Sequence, residues 1–328
     1  RPTQQAAPTG TRIRARARFC GQKVAPWLAV ALAAGAPGCG DERPERLAEG
    51  SWPVLSVPTS EPEVIMPEPR CPPDMVKVTP KADGPGGPYC VDRYESMLVD
   101  SETHARIPPY YAPSRKAARY AAQFWERERF TMGSPDAQAI PIPTLPAWML
   151  ERDFEPKAMV RKNVLPNGHV SGTHAEIACR NAGKRLCSER EWVTACRGEE
   201  DRPFPYGSTY EQGACNVFRE AHPAMELHDN PAIGHVDPRL NTVRFRGKPL
   251  LRKTGETERC VSRWGDDGIY DMVGNLDEWT ADPEGVFAGG FYARASKDGC
   301  SWRASRHPYP YADYSTGMRC CADLPVAP

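Results

Sequence analysis

Apolar residues recur at helical spacing in three segments of the chain. The first segment runs from Ser114 to about Arg129, and Ser114 is a residue type that commonly caps a helix at its start. The apolar positions predict the face that this helix buries. They are Ala117, Ala121, Phe124 and Trp125.

The second and third helices are predicted closer to the middle of the chain. The second starts near Thr173 and stops at Gly183, a residue type that often ends helices. The third opens at Ser188-Glu-Arg-Glu191, which is the pattern of a capping box, and continues through Trp192. Beyond Gly198 the sequence indicates strands and long loops, because Gly, Asp, Asn and Pro recur there.

A hairpin of two short strands is predicted near the start of the folded region. Cys71-Pro-Pro-Asp-Met-Val-Lys-Val leads into the first strand, and Tyr89-Cys-Val-Asp-Arg-Tyr-Glu95 forms the second after a Gly-Pro turn. Two cysteines that flank a hairpin suggest a disulfide between Cys71 and Cys90.

The composition restricts the class of partner. The 328 residues contain 42 Lys plus Arg and 42 Asp plus Glu, so the formal net charge is zero. Such a chain lacks the basic field that neutralises phosphates, and we expect no nucleic-acid partner. The 35 prolines favour a loop-rich fold over a helical bundle.

The N-terminal region predicts export. Several arginines precede an apolar run from Ala25 to Ala36, which ends in Ala-Pro-Gly-Cys39. This pattern is typical of a bacterial lipoprotein signal peptide over residues 1–39, with a generic secretory signal as the alternative. Residues 40–70 are rich in Pro and Glu and predict a disordered tether. The folded domain is expected over residues 71–325, and the twelve cysteines agree with an oxidising compartment.

Four segments resemble, in the same order, the motifs of one protein family. They are Cys90-Val-Asp-Arg-Tyr-Glu95, Ala182-Gly-Lys-Arg-Leu-Cys-Ser-Glu-Arg-Glu-Trp192, Gly268-Ile-Tyr-Asp-Met-Val-Gly-Asn-Leu-Asp-Glu-Trp279, and Gly289-Gly290 followed by Arg303 to Arg306 and Gly317-Met-Arg319. The family is that of the sulfatase-modifying factors or formylglycine-generating enzymes, whose third motif usually reads G-L-Y-D-M-x-G-N-V-W-E-W. The resemblance implies an α+β variant of the C-type lectin fold, loop-rich, with few helices, short antiparallel sheets and disulfide bonds.

The resemblance also implies structural calcium, an ion that prefers six to eight oxygen ligands. One family site maps onto Asp271, the carbonyls of Gly274 and Leu276, and Glu278. A second, weaker site would use Asn216, the Val217 carbonyl and Asp229. Carboxylates that only bond loop amides are the alternative.

The catalytic cysteines of the family are where this sequence departs from the pattern. In the active family two cysteines, five residues apart, follow the Gly-Gly pair and bind copper as thiolates. Counted from Gly290, the first position is Arg294 and the second is Gly299, one residue before Cys300. Arginine cannot supply a metal ligand, so we expect no copper, and Cys300 is only a weak catalytic candidate.

The cysteine count favours a structural role for Cys300. Ten cysteines remain when Cys20 and Cys39 are set aside, and an even number suits a fully bonded domain. Cys300 is predicted to be a half-cystine, with Cys260 as a candidate partner. Two further bridges are expected from Cys179, Cys187, Cys196 and Cys215, whereas the adjacent Cys320 and Cys321 are expected to bond different partners.

A non-haem iron site is a weaker alternative. His235-Val-Asp237 has the H-x-D spacing of a facial triad, and His174-Ala-Glu176 follows His169 by five residues. The second spacing is one residue longer than in sulfoxide-forming proteins that share the family's fold.

Two functions remain open from the sequence. The first is an exported, calcium-stabilised binding or scaffold module that has lost its chemistry. It would recognise an unknown protein, peptide or glycan and touch the membrane only through a lipid anchor, in the periplasm or on the outer surface. The alternative is an oxidoreductase of the formylglycine-generating or iron-dependent tailoring type.

Overall fold

The architecture is α+β, with short elements separated by long loops. The computed structural model describes residues 69–81, 86–217, 219–294 and 296–324. The predicted signal peptide and residues 40–68 of the predicted tether lie outside this part of the chain. No helix of the described residues is long and apolar enough to cross a membrane.

The helices of the described residues are short, the longest having 14 residues. They are α1 (Arg115–Glu128), α2 (Pro135–Ala139), α3 (Trp148–Glu151), α4 (Gly172–Asn181), α5 (Glu189–Arg197) and α6 (Pro223–His228), with single 3-10 turns at Leu240–Thr242 and Gly299–Ser301.

The strands are shorter still. They are β1 (Met75–Val78), β2 (Tyr89–Asp92), β3 (Ser96–Asp100), β4 (Pro156–Val160), β5 (Arg185–Leu186), β6 (Arg244–Phe245), β7 (Lys248–Pro249), β8 (Val261–Trp264), β9 (Asp267–Tyr270), β10 (Asp277–Trp279), β11 (Phe287–Ala288), β12 (Arg303–Ala304), β13 (Thr316–Met318) and β14 (Cys320–Asp323).

Two four-stranded sheets and three two-stranded sheets organise these strands, and two of the smaller sheets, β6–β7 and β8–β9, are hairpins. One sheet has the order β1-β2-β14-β5, and the other has the order β12-β11-β10-β13. The predicted hairpin is confirmed as β1 and β2, although β2 ends at Asp92. β10 and β13 pair in parallel, because the chain between them makes a long crossover. All other strand pairs of the described region are antiparallel, as predicted.

All three predicted helices are present. For α1 the predicted buried face is displaced, because Ala118 and Trp125 are the buried residues and Ala117 is exposed. The helix packs on one side only. The spacing of apolar residues does not show which of two neighbouring alanines, Ala117 or Ala118, lies on the buried side. In α5 the capping box is confirmed. Ser188 Oγ accepts from Glu191 N at 3.2 Å, and the Glu191 carboxylate accepts from Ser188 N at 2.8 Å.

The described residues contain five disulfides, and four of them join elements that are distant in the sequence. The pairs are Cys71–Cys90, Cys179–Cys320, Cys187–Cys321, Cys196–Cys300 and Cys215–Cys260. The predicted Cys71–Cys90 bond is confirmed, and so is the prediction that Cys320 and Cys321 bond different partners. Consecutive residues of a strand point to opposite faces, which sends the two sulfurs into different parts of the core.

Two disulfide predictions are wrong. Cys300 bonds Cys196 rather than Cys260, and Cys260 bonds Cys215. The four cysteines between 179 and 215 form no bond with one another. Each one lies against a strand or turn that arrives much later in the chain, and sequence spacing does not carry that information.

Candidate functional site

The loop after β11 occupies the place where the sequence resemblance puts the catalytic cysteines. It begins at Gly289 with φ 89°, and a Cβ at this position would lie 2.6 Å from the Met272 carbonyl oxygen. A residue with a side chain would therefore clash with the backbone at this turn. After the turn, Phe291 and Tyr292 are buried, and Arg294 follows.

Arg294 is held between a carboxylate and two aromatic rings. Its Nη2 atom donates to Asp277 Oδ2 at 3.0 Å. Its guanidinium carbon lies 4.3 Å from the centroid of the Trp302 ring and 4.9 Å from that of Phe291. A cation over the face of an aromatic ring is attracted by the ring quadrupole, so Asp277, Trp302 and Phe291 all favour the charged side chain here.

Asp277 is fully buried at the start of β10. Burial raises the pKa of Asp277 to about 7, and the Arg294 charge acts in the opposite direction. A second buried carboxylate, Asp313, raises the pKa further. Asp313 is itself satisfied by Ser315 N at 2.8 Å and by Tyr311 Oη at 2.5 Å. The cluster therefore depends on Arg294 to keep Asp277 ionised near neutral pH.

The sulfur of Cys300 is engaged in a bond at the neighbouring 3-10 turn. Cys300 is fully buried and forms a disulfide with Cys196 at the end of α5. The prediction that Cys300 is a half-cystine is confirmed. A bonded sulfur is neither a nucleophile nor a thiolate ligand.

Asp277 was missed by sequence reasoning, although a signal for it exists. The third motif usually reads G-N-V-W-E-W, and here the corresponding residues are Gly274-Asn-Leu-Asp-Glu-Trp279. Asp277 thus stands where the usual pattern has Trp, and Arg294 stands where it has the first Cys. The two departures from the pattern contact each other.

The predicted ligand Glu278 lies in a buried polar network. Its carboxylate accepts from Trp192 Nε1 at 2.7 Å and from Arg319, whose Nη2 lies 2.7 Å from Oε1 and whose Nε lies 2.9 Å from Oε2. Arg319 also donates to the carbonyls of Tyr270 and Asp92, both at 2.8 Å. Both Glu278 oxygens are therefore occupied by protein donors.

Asp271, the other predicted carboxylate ligand of this site, lies close to the same network. It adopts φ 61°, and its Oδ2 atom accepts from Gly255 N at 2.6 Å. Burial raises the pKa of Asp271 to about 7, and the Glu278 charge contributes. Glu95 is buried as well, and its pKa is raised well above the usual value by burial and then by the charges of Asp271 and Glu278. Three buried carboxylates thus surround the single guanidinium of Arg319.

The residues predicted for the second calcium site are only partly brought together. Asn216 and Val217 are buried beside the third motif, since Asn275 N donates to the Asn216 carbonyl at 2.8 Å. Asn216 Nδ2 donates to Leu250 O and to Asn275 Oδ1, whereas Asn216 Oδ1 is buried with no hydrogen-bond partner. Asp229 lies at the end of α6 with φ 54°, and its N–H donates to Met225 O.

The histidines weighed for iron have other contacts. His235 Nε2 lies 2.8 Å from Pro231 O, and Asp237 forms a buried ion pair with Arg239 at 2.6 Å. His174 Nδ1 lies 2.9 Å from Ser171 Oγ. Within the described residues, no group of three or more His, Cys, Asp or Glu side chains is arranged to hold a metal ion.

These features define a class of protein: a loop-rich α+β domain, held by five disulfides, with four ordered sequence motifs around a buried polar core. The family described as "Sulfatase-modifying factor enzyme 1-like domain" matches residues 148–324, which is more than half of the chain. The chain belongs to this family, as the motifs predicted.

Several characterised relatives are similar over part of their length. The chain is 29% identical over 117 residues to inactive C-alpha-formylglycine-generating enzyme 2 of Bos taurus, covering 35% of this chain and 32% of that protein. It is 26% identical over 206 residues to formylglycine-generating enzyme of Thermomonospora curvata, covering 60% of each. The mouse enzyme of the same name is 29% identical over 190 residues, covering 48% of this chain and 45% of that protein. The chain thus spans between a third and three fifths of these relatives.

Two solved structures resemble the chain distantly. PvdO from Pseudomonas aeruginosa has a TM-score of 0.33 at 14% identity, covering 76% of this chain and 91% of that chain. CarF has a TM-score of 0.32 at 14% identity, covering 77% and 97%. Similarity at this level supports no functional assignment.

Proposed function

We propose that this chain is a non-catalytic binding or scaffold module built on the sulfatase-modifying-factor fold. One observation carries the proposal: Arg294, at the position of the family's first catalytic cysteine, forms an ion pair with the buried Asp277 at 3.0 Å. A guanidinium cannot bind copper, and breaking an ion pair to a fully buried carboxylate is costly. The site has a structural role in place of a redox one.

Two further facts support the loss of chemistry. The nearest cysteine along the chain, Cys300, is bonded to Cys196, so a two-thiolate copper site would require this disulfide to open and Arg294 to leave its carboxylate. In addition, one of the similar proteins is named as an inactive formylglycine-generating enzyme, so relatives without the activity exist in this family.

The same proposal includes export of the protein and its attachment to a membrane through a lipid anchor. Five disulfides favour an oxidising compartment. The basic and apolar N-terminal segment that ends at Cys39 favours a lipoprotein of the bacterial envelope, with a protein, peptide or glycan as its partner. Labelling of cells with a fatty-acid analogue tests this point, because Cys39→Ser should abolish the label.

Calcium is proposed as a structural ion. Glu95, Asp271 and Glu278 are buried around one guanidinium, so a bound cation would offset their excess negative charge and hold Asp271 in its ionised form. Glu278 itself is occupied by Arg319 and Trp192, which leaves Asp271 as the stronger ligand candidate. At the second site, the unpartnered Asn216 Oδ1 fits a calcium ligand.

The decisive experiment for the loss of activity is a direct assay. The purified chain is incubated with copper, oxygen and a Cys-x-Pro-x-Arg peptide, and the aldehyde is sought by mass spectrometry. We expect no product from the wild-type chain. Product that disappears in Cys300→Ser would overturn the proposal and establish the oxidase alternative.

The calcium proposal is tested by thermal denaturation. An ion that binds only the folded state stabilises it by mass action, so removing calcium should lower the melting temperature by about 5 °C, and added calcium should restore it. Asp271→Asn should reduce this shift, whereas Asp266→Asn, at an exposed carboxylate five residues earlier, should not. An equal shift in both variants would exclude Asp271 as a ligand.

A further inference from the structure

A cavity of about 610 Å³ lies beside Asn216 and the Cys215–Cys260 disulfide, away from Arg294 and Cys300. This volume is in the range of pockets that enclose a small ligand. The walls are polar and come from three parts of the chain: residues 212–217 with 219 and 220, the β6–β7 hairpin, and the loop 252–259. Phe245 is the single aromatic residue among the described residues of the lining.

Positive charge exceeds negative charge around this cavity. The lining has five cationic residues, Arg219, Arg246, Lys248, Arg252 and Arg259, and three carboxylates, Glu220, Glu256 and Glu258. Three of the cations are paired: Arg246 with Glu220 at 3.0 Å, Arg252 with Glu256 at 2.5 Å, and Arg259 with Glu211. Arg219 and Lys248 form no ion pair with a described residue, and the third lining carboxylate, Glu258, offsets one of these two positive charges.

Arg219 is the unusual member of this set, because it is half-buried and still lacks a carboxylate partner. Its backbone N–H donates to Tyr292 O at 3.0 Å, which fixes the position of the residue in the wall. Burial lowers the pKa of Arg219 and the nearby charge of Arg252 lowers it further, whereas the charges of Glu220 and Glu256 act in the opposite direction. Arg219 and Arg252 both line the cavity, and Glu256 accepts hydrogen bonds from Arg252 Nη1 and from the Lys253 N–H.

Two residues of the lining also have buried polar atoms without a hydrogen-bond partner. Arg252 Nε and Asn216 Oδ1 are both buried and make no hydrogen bond. An arginine pair is suited to an oxyanion, because the guanidinium donates two parallel hydrogen bonds to carboxylate, sulfate or phosphate.

We infer that this cavity binds a small ligand of monosaccharide size through an oxyanion group placed between Arg219 and Arg252. The inference rests on the proposed function, since it names the ligand class of a binding module. Thr257 and Gln212 add neutral polar contacts for the hydroxyl groups of such a ligand.

Calorimetric titration of the full domain tests the inference. Four probes are matched in size: glucuronate, glucose 6-sulfate, glucose 6-phosphate and neutral glucose. The buffer is freed of calcium on a resin, because a dissolved chelator would itself supply carboxylates and a bound cation could attract the anion. We expect saturable binding of at least one anionic probe with a Kd of about 1 mM or tighter, and none of glucose. The preferred probe identifies the oxyanion.

Two variants locate the site. Arg219→Gln should weaken binding by about tenfold or more, because it removes a charged hydrogen-bond donor. Arg244→Gln is the matched control. This exposed arginine lies on the β6–β7 hairpin but is not part of the cavity lining, and its side chain donates only to Gly247 O. Melting curves of both variants verify that they fold. No saturable binding of any anion, equal binding of glucose, or unchanged affinity in Arg219→Gln would overturn the inference.

The experiments distinguish failure of the cavity inference from failure of the proposed function. Aldehyde formation in the copper assay would refute the module and leave the cavity result standing. Absence of both aldehyde and anion binding would refute the cavity inference alone.

Discussion

The guanidinium of Arg319 spans both carboxylate oxygens of Glu278, with Nη2 at 2.7 Å from Oε1 and Nε at 2.9 Å from Oε2. Both side chains are buried, so the pair has no access to solvent that could replace either partner. Arg319 follows β13 and Glu278 lies in β10, and the two strands pair in parallel. The ion pair therefore fastens the C-terminal strands to the third sequence motif.

Replacement of Arg319 by Met should destabilise the domain strongly. It leaves Glu278 as an uncompensated buried charge, which typically costs about 3–5 kcal/mol. Chemical denaturation measures the loss. In the double variant Arg319→Met with Glu278→Gln the buried charge is absent, and we expect part of the stability to return. A double variant no more stable than Arg319→Met would show that lost packing, rather than charge, explains the cost.

Replacement of Arg294 by Met should destabilise the domain in a pH-dependent way. Asp277 has a folded pKa of about 7, above its usual 3.8, so the folded state binds the extra proton between these values and stability falls as pH rises through this window. Without Arg294 the ionised carboxylate lacks its partner. We expect a loss of about 2 kcal/mol at pH 8, because Arg294 is partly exposed, and a smaller loss at pH 5.

Urea denaturation of the Arg294 variants at both pH values is the measurement. Arg294→Lys is the control, because it keeps the charge but not the guanidinium fork, and it should lose less stability at pH 8 than Arg294→Met. Equal losses for Arg294→Met at pH 5 and pH 8 would show that Asp277 does not titrate in this range.

Removing the Cys196–Cys300 disulfide should lower the stability of the domain and change the number of free thiols. The two residues are 104 apart in sequence, and the Cys215–Cys260 bond shortens the loop that they close. Removing the bond by Cys300→Ser should cost about 3–4 kcal/mol, since the unfolded chain gains freedom.

The thiol count distinguishes a structural from a reactive cysteine. On unfolding, Cys300→Ser should expose one more reactive thiol than the wild type, that of Cys196, whereas the double variant Cys196→Ser with Cys300→Ser should expose no more than the wild type and be about as unstable. A reactive thiol at Cys300 in the native wild-type domain would contradict the bond.

His169 should make the domain sensitive to acid. Burial lowers the pKa of His169 from its usual 6.5 to about 4, although the charge of Asp313 acts against the shift. The unfolded state therefore binds more protons between pH 6.5 and 4, and stability is lost as pH falls through this window. The loss attributable to this histidine is as much as about 3 kcal/mol.

Denaturation at several pH values tests this prediction. His169→Asn should flatten the dependence between pH 6.5 and 4, because Asn does not titrate and tolerates the φ of 57° at this position. His104→Asn is a matched control, since His104 is exposed and also has φ 57°. If both variants follow the wild-type curve, His169 is not the origin of acid sensitivity.

Local features of the fold were predictable, because their physical cause lies within a few residues. The capping box of α5 needs only Ser188 and Glu191, which are one helical turn apart. The Cys71–Cys90 bond closes a hairpin of adjacent strands, so proximity in sequence and in space coincide. The buried face of α1 was placed on the wrong alanine, because only the neighbouring elements decide which side of a helix is covered.

The candidate site was only partly predictable. The sequence placed Arg294 at a cysteine position, but its partner Asp277 lies 17 residues away in another strand. Arg219 and Arg252 belong to no periodic pattern or motif, and the sequence alone does not distinguish these two half-buried arginines from the many arginines that lie on a protein surface.

The sequence by itself determined the family, the three main helices and the absence of a cysteine at position 294, because these depend on residue identity and short-range spacing. Only the tertiary structure decided that Cys300 bonds Cys196, that Arg294 pairs with Asp277 and that Arg319 holds Glu278. These contacts join segments that long loops separate. Which segments meet depends on how the whole chain buries its apolar surface, a property that no local pattern contains.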